Sequence, residues 1–324
     1  MSLTVSHLSK KYGNKTVLDD LSFEMKGPGV YALLGTNGAG KTTAIRAMLG
    51  MLSRDSGEVL WQGAPLDTAT VNVGYLAEER GLYPKCTLMD QLIYFAQLRG
   101  VSRAEARRRI KYWSERLEVD EYLYPTKPAR RSLLSRNAPG GVISLPSKKA
   151  DQLSKGNQQK IQLMTALLPD PELIILDEPM SGLDPVNTDL FKSIIRQEIA
   201  RGKYLIMSSH QMATVEEFCT DITILNRSKT VLQGNLNVIK KGYGRINLSL
   251  KVEQDITSYI EAAGVTLLSE KEYEYQLRVS GEEQANALLG ALIGGGVTVI
   301  RFDLSEPSLH EIFVETVGAA NEKE

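Results

Sequence analysis

The sequence is poor in cysteine, has no excess of positive charge and contains no long apolar run, and each shortage closes off a class of protein. Its two cysteines, Cys86 and Cys219, stand alone without CxxC spacing. That argues against a disulfide framework or a zinc site and suits a reducing cytoplasm. Lys and Arg number 38 against 39 Asp and Glu, a net charge of −1, whereas a general nucleic-acid binder carries a strong positive bias. No window approaches the ~18 consecutive apolar residues of a membrane span, and the opening "MSLTVSHLSKKYG" has no apolar signal-peptide core. Neither an internal repeat nor a sustained heptad is visible. The chain is expected to be soluble when isolated, reaching a membrane only by docking on something in it.

What is present is ordinary globular material: 324 residues, 42% hydrophobic and 24% charged, enough for two domains. The N-terminal part alternates strands ("LTVSHLSKKY", "VLDDLSFEM", "GVYALLG") with polar turns. "TTAIRAMLGML" and most of Leu88–Val119 have helical spacing, and Ser102 with Glu105 spells a capping box. "PELIILDEP", "KYLIMSSH" and "ITILNRSKTVLQG" are later strands separated by helices, the alternation of an α/β fold. Beyond Gly242–Gly244 the order becomes βαββαβ, the ferredoxin-like arrangement, and a last helix opens at Ser308 with a second capping box, "SLHE". These boundaries predict one domain over residues 1–240, containing a helical subdomain at about 86–165, and an α+β domain over 245–320.

The chemistry begins at "GTNGAGKTT", which comprises Gly35, Thr36, Asn37, Gly38, Ala39, Gly40, Lys41, Thr42 and Thr43. Gly35, Gly40, Lys41 and Thr42 complete GxxxxGK[ST], in which backbone N–H groups cradle phosphates, the lysine reaches the β- and γ-phosphates, and the hydroxyl binds Mg²⁺. A chance glycine turn is the competing reading, and the strand before and helix after disfavour it. Alone, such a loop fits GTPases, small-molecule kinases, helicases and transport ATPases equally. "LIILDEP" supplies a second element: an apolar strand carries Asp177 to its exposed end, where a carboxylate can hold Mg²⁺. Glu178 follows and can accept a proton from attacking water. An NTPase with its own base is the expectation, and a buried strand ending in a solvated acidic turn is the alternative.

"DQLSKGNQQKIQLMTALLPDPELIILDEP" narrows the class, because it resembles the ATP-binding cassette (ABC) ATPases. Their LSGGQ signature stands here as Leu153-Ser154-Lys155-Gly156-Asn157, with Ser154 and Gly156 retained and Lys155 and Asn157 departing. The resemblance covers roughly residues 1–235. It implies a P-loop cassette with a RecA-like core, an antiparallel β part and the helical subdomain, binding ATP and Mg²⁺. It also assigns roles: Tyr12 stacks on adenine, Asp184 of "SGLDP" couples two ATP sites, and His210 of "LIMSSH" contacts the γ-phosphate. Tyr12 has the competing reading of an aromatic packed at a strand end. His7 and His310 have no such company. In the family two cassettes sandwich two ATP molecules, so Ser154 and Gly156 would serve the site of a second cassette, taken as another copy of this chain.

Three features depart from the usual pattern. Glu78, in "GYLAEERGLYP", occupies the place of the family's glutamine, which faces Mg²⁺ or water; a carboxylate there could alter metal affinity and turnover, or pair locally with Arg80. "EERGLYP" itself resembles a branch of bacterial exporters that includes the sodium-extruding NatA-like ATPases, whose members often carry an extra C-terminal domain. Residues 124–147, with Lys127, Arg130, Arg131 and Arg136 and no acid, form an insertion without apolar periodicity. It reads either as a tolerated loop or as a basic contact for a permease or anionic lipid. "RRRIK" at Arg107–Lys111 reads as the solvated face of a helix whose buried face is Ile110, Trp113 and Leu117.

The resemblance implies a separate transmembrane permease, a place at the cytoplasmic face of the cell membrane and no nucleic-acid partner. A soluble ABC ATPase that remodels a macromolecular complex is the alternative. A regulatory nucleotide sensor that hardly hydrolyses is a further one, disfavoured by the intact Asp177, Glu178 and His210.

Overall fold

The computed structural model describes residues 2–79, 81–128 and 142–322. Its packing divides the chain into two units: Met1–His210 with Leu225–Thr230, and Gln211–Ile224 with Val231–Glu324. The sequence-based boundary lay at 240–245; in the structure Gln211–Ile224 and Val231 onward are grouped with the C-terminal strands.

The first unit opens with β1 (Leu3–Tyr12), β2 (Lys15–Met25) and β3 (Gly29–Gly35), followed by α1 (Lys41–Met48), β4 (Ser56–Trp61), β5 (Ala64–Pro65) and β6 (Val73–Leu76). Helices α2 (Leu88–Leu98), α3 (Arg103–Arg116) and α4 (Asp120–Leu123) come next, then the short strands β7 (Thr126–Pro128) and β8 (Val142–Ser144). Helix α5 (Lys155–Leu167), β9 (Leu173–Asp177), α6 (Pro185–Ala200) and β10 (Tyr204–Ser209) follow. The remaining elements are α7 (Met212–Phe218), β11 (Asp221–Asn226), β12 (Lys229–Asn235), α8 (Leu236–Tyr243), β13 (Asn247–Val252), α9 (Thr257–Ala262), β14 (Thr266–Lys271), β15 (Glu274–Arg278), α10 (Glu282–Gly294), β16 (Val299–Ser305) and α11 (Leu309–Glu322).

One ten-stranded sheet runs in the order β5-β4-β1-β2-β12-β11-β3-β10-β9-β6. Its two ends differ in kind. β1 pairs antiparallel with β2 and β4, whereas β3, β10, β9 and β6 pair in parallel. Every residue of β3, β9 and β10 is buried, which is why these segments read as continuous apolar runs instead of alternating ones. Parallel strands release their C-terminal ends on one edge, and here that edge carries Gly35, Asp177 and Ser209. In the helical subdomain Ile110, Trp113 and Leu117 are buried as expected. The Ser102 cap is half a box: its hydroxyl accepts from the Glu105 N–H at 3.3 Å, but the Glu105 carboxylate is taken by Arg108 and Arg109. Those two guanidiniums hold the Glu105 carboxyl down at about 2.

The insertion has more local structure at its base than its sequence suggested. Thr126, Lys127 and Pro128 pair antiparallel with Ser144, Ile143 and Val142. Arg130, Arg131 and Arg136, together with Arg80, lie outside the described residues.

The second unit contains a four-stranded sheet in the order β14-β15-β13-β16, with β13 antiparallel to both β15 and β16, and β14 antiparallel to β15. With α9 and α10 interposed this is the ferredoxin-like arrangement read from the sequence. Leu248, Leu250, Tyr275, Leu277, Ala285 and Leu288 build its core. The Ser308 capping box is complete, since Ser308 N–H donates to Glu311 Oε2 at 2.8 Å and Glu311 N–H to Ser308 Oγ at 3.2 Å. Glu216 of α7 accepts from Lys240 Nζ and from the Leu309 N–H at the start of α11.

Candidate nucleotide site

The phosphate loop is placed by β3, whose buried run ends at Gly35, and by α1, which begins at Lys41 behind Gly40. Two of its glycines are required by space and conformation. A Cβ on Gly40, at φ 111°, would stand 2.6 Å from the Val17 carbonyl oxygen, and one on Gly35, at φ 156°, would stand 2.5 Å from that of Leu225. Both glycines therefore hold the loop against neighbouring backbone where no side chain fits. Lys41 is only 6% exposed. Its Nζ donates to the carbonyls of Gly35 at 2.8 Å and Thr36 at 3.3 Å, and lies 3.2 Å from Glu178 Oε1. A cleft of about 200 Å³ opens here, lined by Val17, Asn37, Gly38, Gly40, Lys41, Thr42, Thr43, Glu78 and Glu178.

The acidic strand ends beside the same cleft, which Glu178 helps to line. Asp177, the last residue of β9, is fully buried. Parallel pairing sets Ser208 of β10 opposite it, and the Ser208 hydroxyl donates to Asp177 Oδ1 at 2.5 Å. Oδ2 is buried and takes no hydrogen bond among the described residues. Burial pushes the Asp177 carboxyl above the usual carboxylate range, with the charges of Glu78 and Glu178 adding to the rise. Glu178 leaves the strand at φ 50°, a left-handed backbone uncommon outside glycine, and its N–H donates to Ser208 Oγ at 2.9 Å. That turn aims its carboxylate between two groups: Oε1 toward Lys41 and Oε2 2.8 Å from His210 Nδ1. The Thr42 hydroxyl donates to Glu78 Oε2 at 3.4 Å. Ser208 was not singled out from the sequence; a polar pair closing the apolar run "LIMSSH" was its only signal.

The other expected residues stand apart from this cleft. Tyr12 ends β1 as an exposed residue, with Lys10 Nζ 5.7 Å from its ring centroid. Ser154 caps α5, accepting from the Asn157 N–H at 3.3 Å, and is exposed. A Cβ on Gly156 would meet Asn187 and Leu183 at 3.6 Å. Asp184 caps α6 and accepts from Asn187 N–H at 2.9 Å, and these bonds from Asn187 hold its carboxyl below the usual range. Within one chain the loop, Asp177, Glu178, Glu78 and His210 converge, while Ser154, Gly156 and Asp184 are not among the residues lining the cleft.

A phosphate loop ending a buried parallel strand, with an acidic strand and a following glutamate beside it, defines a nucleoside-triphosphate hydrolase. Comparison with known proteins specifies which kind: this chain belongs to the ABC transporter family, whose pattern matches residues 18–181. The pattern described as "ATP-binding protein DrrA1-3-like, C-terminal domain" matches residues 234–317. An uncharacterized ABC transporter ATP-binding protein, YhaQ of Bacillus subtilis (strain 168), is 39% identical over 321 residues, covering 99% of this chain and 100% of the relative. The Nod factor export ATP-binding protein I of Bradyrhizobium diazoefficiens is 27% identical over 340 residues, covering 100% of this chain and 98% of that one. A solved structure of an ATP-binding subunit of an ABC transporter superposes with a TM-score of 0.62 at 28% identity, covering 75% of this chain and 93% of that one. The protein is accordingly the ATP-binding, ATP-hydrolysing subunit of an ABC transporter, a kind of subunit that pairs with membrane permease components. Among its described residues no helix is long and apolar enough to cross a membrane.

Proposed function

We propose that this subunit powers an exporter, with two copies of the chain sandwiching two ATP molecules at the cytoplasmic face of a membrane permease. The observation that carries the catalytic part is the Glu178 carboxylate held between Lys41 and His210. Lys41 and the loop N–H groups from Gly35 to Thr43 bind the β- and γ-phosphates, and Tyr12 offers an exposed ring to the adenine. Glu178 accepts the proton of the attacking water, while His210 orients that carboxylate and reaches the γ-phosphate. Mg²⁺ fits the donor set: the buried, unpartnered Asp177 Oδ2 and the Thr42 hydroxyl would hold it, with Glu78 beside them. Bound there, it would neutralise charge developing on the phosphates. Ser154, Gly156 and Asp184 are exposed or at the surface of their helix starts, which suits service to the site of a second copy.

The exporter reading rests on the Nod factor export relative, which matches the whole chain including the ferredoxin-like accessory domain at 245–320. An apolar hollow of about 450 Å³, lined in part by Met51, Leu82, Phe95 and Leu98, offers a permease segment a surface beside the helical subdomain. Tagged protein purified from its native membrane is expected to bring with it a protein of several apolar spans, and to lose ATPase stimulation when that protein is removed. Recovery with ribosomes or nucleic acid instead would favour the soluble remodelling role.

A further inference from the structure

Tyr122 lies in α4, just ahead of the 124–147 insertion, and outside every motif that marks the family. Its contacts point in two directions. Toward the insertion, its carbonyl accepts from the Lys148 N–H at 2.8 Å, and Lys148 Nζ stands 4.6 Å from its ring centroid. Toward the signature, its hydroxyl accepts from Asn157 Nδ2 at 2.9 Å. Asn157 in turn makes a second bond with its backbone, whose N–H donates to the Ser154 hydroxyl. The connecting turn is tied down independently: Lys149 N–H donates to Gln152 Oε1 at 2.8 Å, and Gln158 Nε2 donates to the Ala150 and Leu153 carbonyls at 3.0 and 3.1 Å.

We infer that Tyr122 is a positioning residue for ATP hydrolysis. Its hydroxyl fixes the Asn157 side chain, and through the N–H of that residue the hydroxyl of Ser154, so that the signature turn meets the nucleotide of a second copy in one orientation. The inference rests on the proposed action of Ser154 in trans. The bond is available because position 157 carries a short amide on the first turn of α5, one of the two departures from the family signature. A hydrogen bond between neutral groups shifts an equilibrium modestly, so its loss should spread the turn over several orientations without unfolding it. Because each copy binds ATP chiefly through its own phosphate loop, the effect belongs in turnover and not in nucleotide affinity.

Tyr122→Phe keeps the ring, the Lys148 contact and the backbone bond, removing only the hydroxyl. The expected result is a kcat lowered about three- to tenfold, with KM, nucleotide binding by the monomer and melting temperature unchanged. Asn157→Ala, which removes the Tyr122–Asn157 bond but leaves the contact of the hydroxyl with Glu121, should lower kcat by a similar factor, and the double variant by no more than the more severe single change, since both remove that bond. Unchanged kcat in Tyr122→Phe, or losses that multiply in the double variant, would overturn the inference. A fall in kcat matched by a fall in melting temperature would assign the hydroxyl to packing alone and overturn it equally. Ser154→Arg, measured alongside, separates the two ideas. Full activity in that variant removes the trans reading itself, whereas its inactivity beside an unaffected Tyr122→Phe removes only the role of Tyr122.

Discussion

Lys41 Nζ and Glu178 Oε1 lie 3.2 Å apart, and both side chains are nearly closed to solvent, at 6% and 5% exposure. The phosphate-binding cation and the carboxylate proposed as base thus share one ion pair, with His210 on the second carboxylate oxygen. Removing one member of such a buried pair strands the other charge, so a test of Glu178 must preserve its shape.

Glu178→Gln does this. The amide still fills the space between Lys41 and His210 but cannot take up a proton. Turnover should fall ~10²–10⁴-fold while ATP binding persists, and the ATP-bound pair of chains should accumulate on a sizing column. Near wild-type hydrolysis would remove Glu178 from the role of base.

Ser154→Arg should abolish hydrolysis while leaving ATP binding by the monomer nearly intact, because the side chain is exposed and outside the cleft of its own chain. Mixed with Lys41→Ala, it forms some heterodimers with one site whose two halves are both unmutated. Activity in the mixture that neither variant shows alone is expected. Loss of ATP binding by monomeric Ser154→Arg would contradict action in trans.

Gly40→Ala should cost both folding and binding. The added Cβ meets the Val17 carbonyl at 2.6 Å, and φ 111° is closed to alanine. Strain of ~1–3 kcal/mol, or a shifted loop, is expected. Calorimetric melting and a nucleotide titration would register one or the other, and a variant unchanged in both would mean the loop tolerates a side chain there.

The two cysteines should react very differently. Cys86 is exposed, whereas Cys219 is buried and its burial, with Asp221 nearby, pushes the thiol well up. The reactive thiolate is therefore negligible at Cys219 at pH 8. Titration with a chromogenic disulfide at that pH should count one fast thiol in the folded protein and two in guanidinium. Two fast thiols in the native protein would contradict the buried placement.

What was legible in the sequence was what adjacent residues determine. Glycines at fixed spacing between a strand and a helix mark the phosphate loop, since backbone clearance is a local demand. The βαββαβ order likewise emerged from periods of 2.0 and 3.6 alone. The joint position of Lys41, Glu178 and His210 was implied only by the family resemblance and not by any local pattern, because it depends on β10 lying between β3 and β9 in the sheet. Glu105 shows the limit of motif reading on a smaller scale. Its spacing from Ser102 promises a reciprocal cap, but two arginines on the next turn compete for the same carboxylate with charge-assisted bonds. The pairing of Thr126–Pro128 with Val142–Ser144 escaped notice because three residues a side show no alternation worth counting.

The interleaving of the two units has a consequence for synthesis. Residues 211–224 belong to the second unit but leave the ribosome before 225–230, which belong to the first. The folded N-terminal unit thus includes residues that emerge only after His210 and an intervening stretch of the second unit. Helix α7 waits longer still, since Glu216 accepts from Leu309 N–H near the end of the chain. A nascent chain stalled before residue 309 carries a helix, beginning two residues after His210, whose Glu216 has yet to receive the Leu309 N–H.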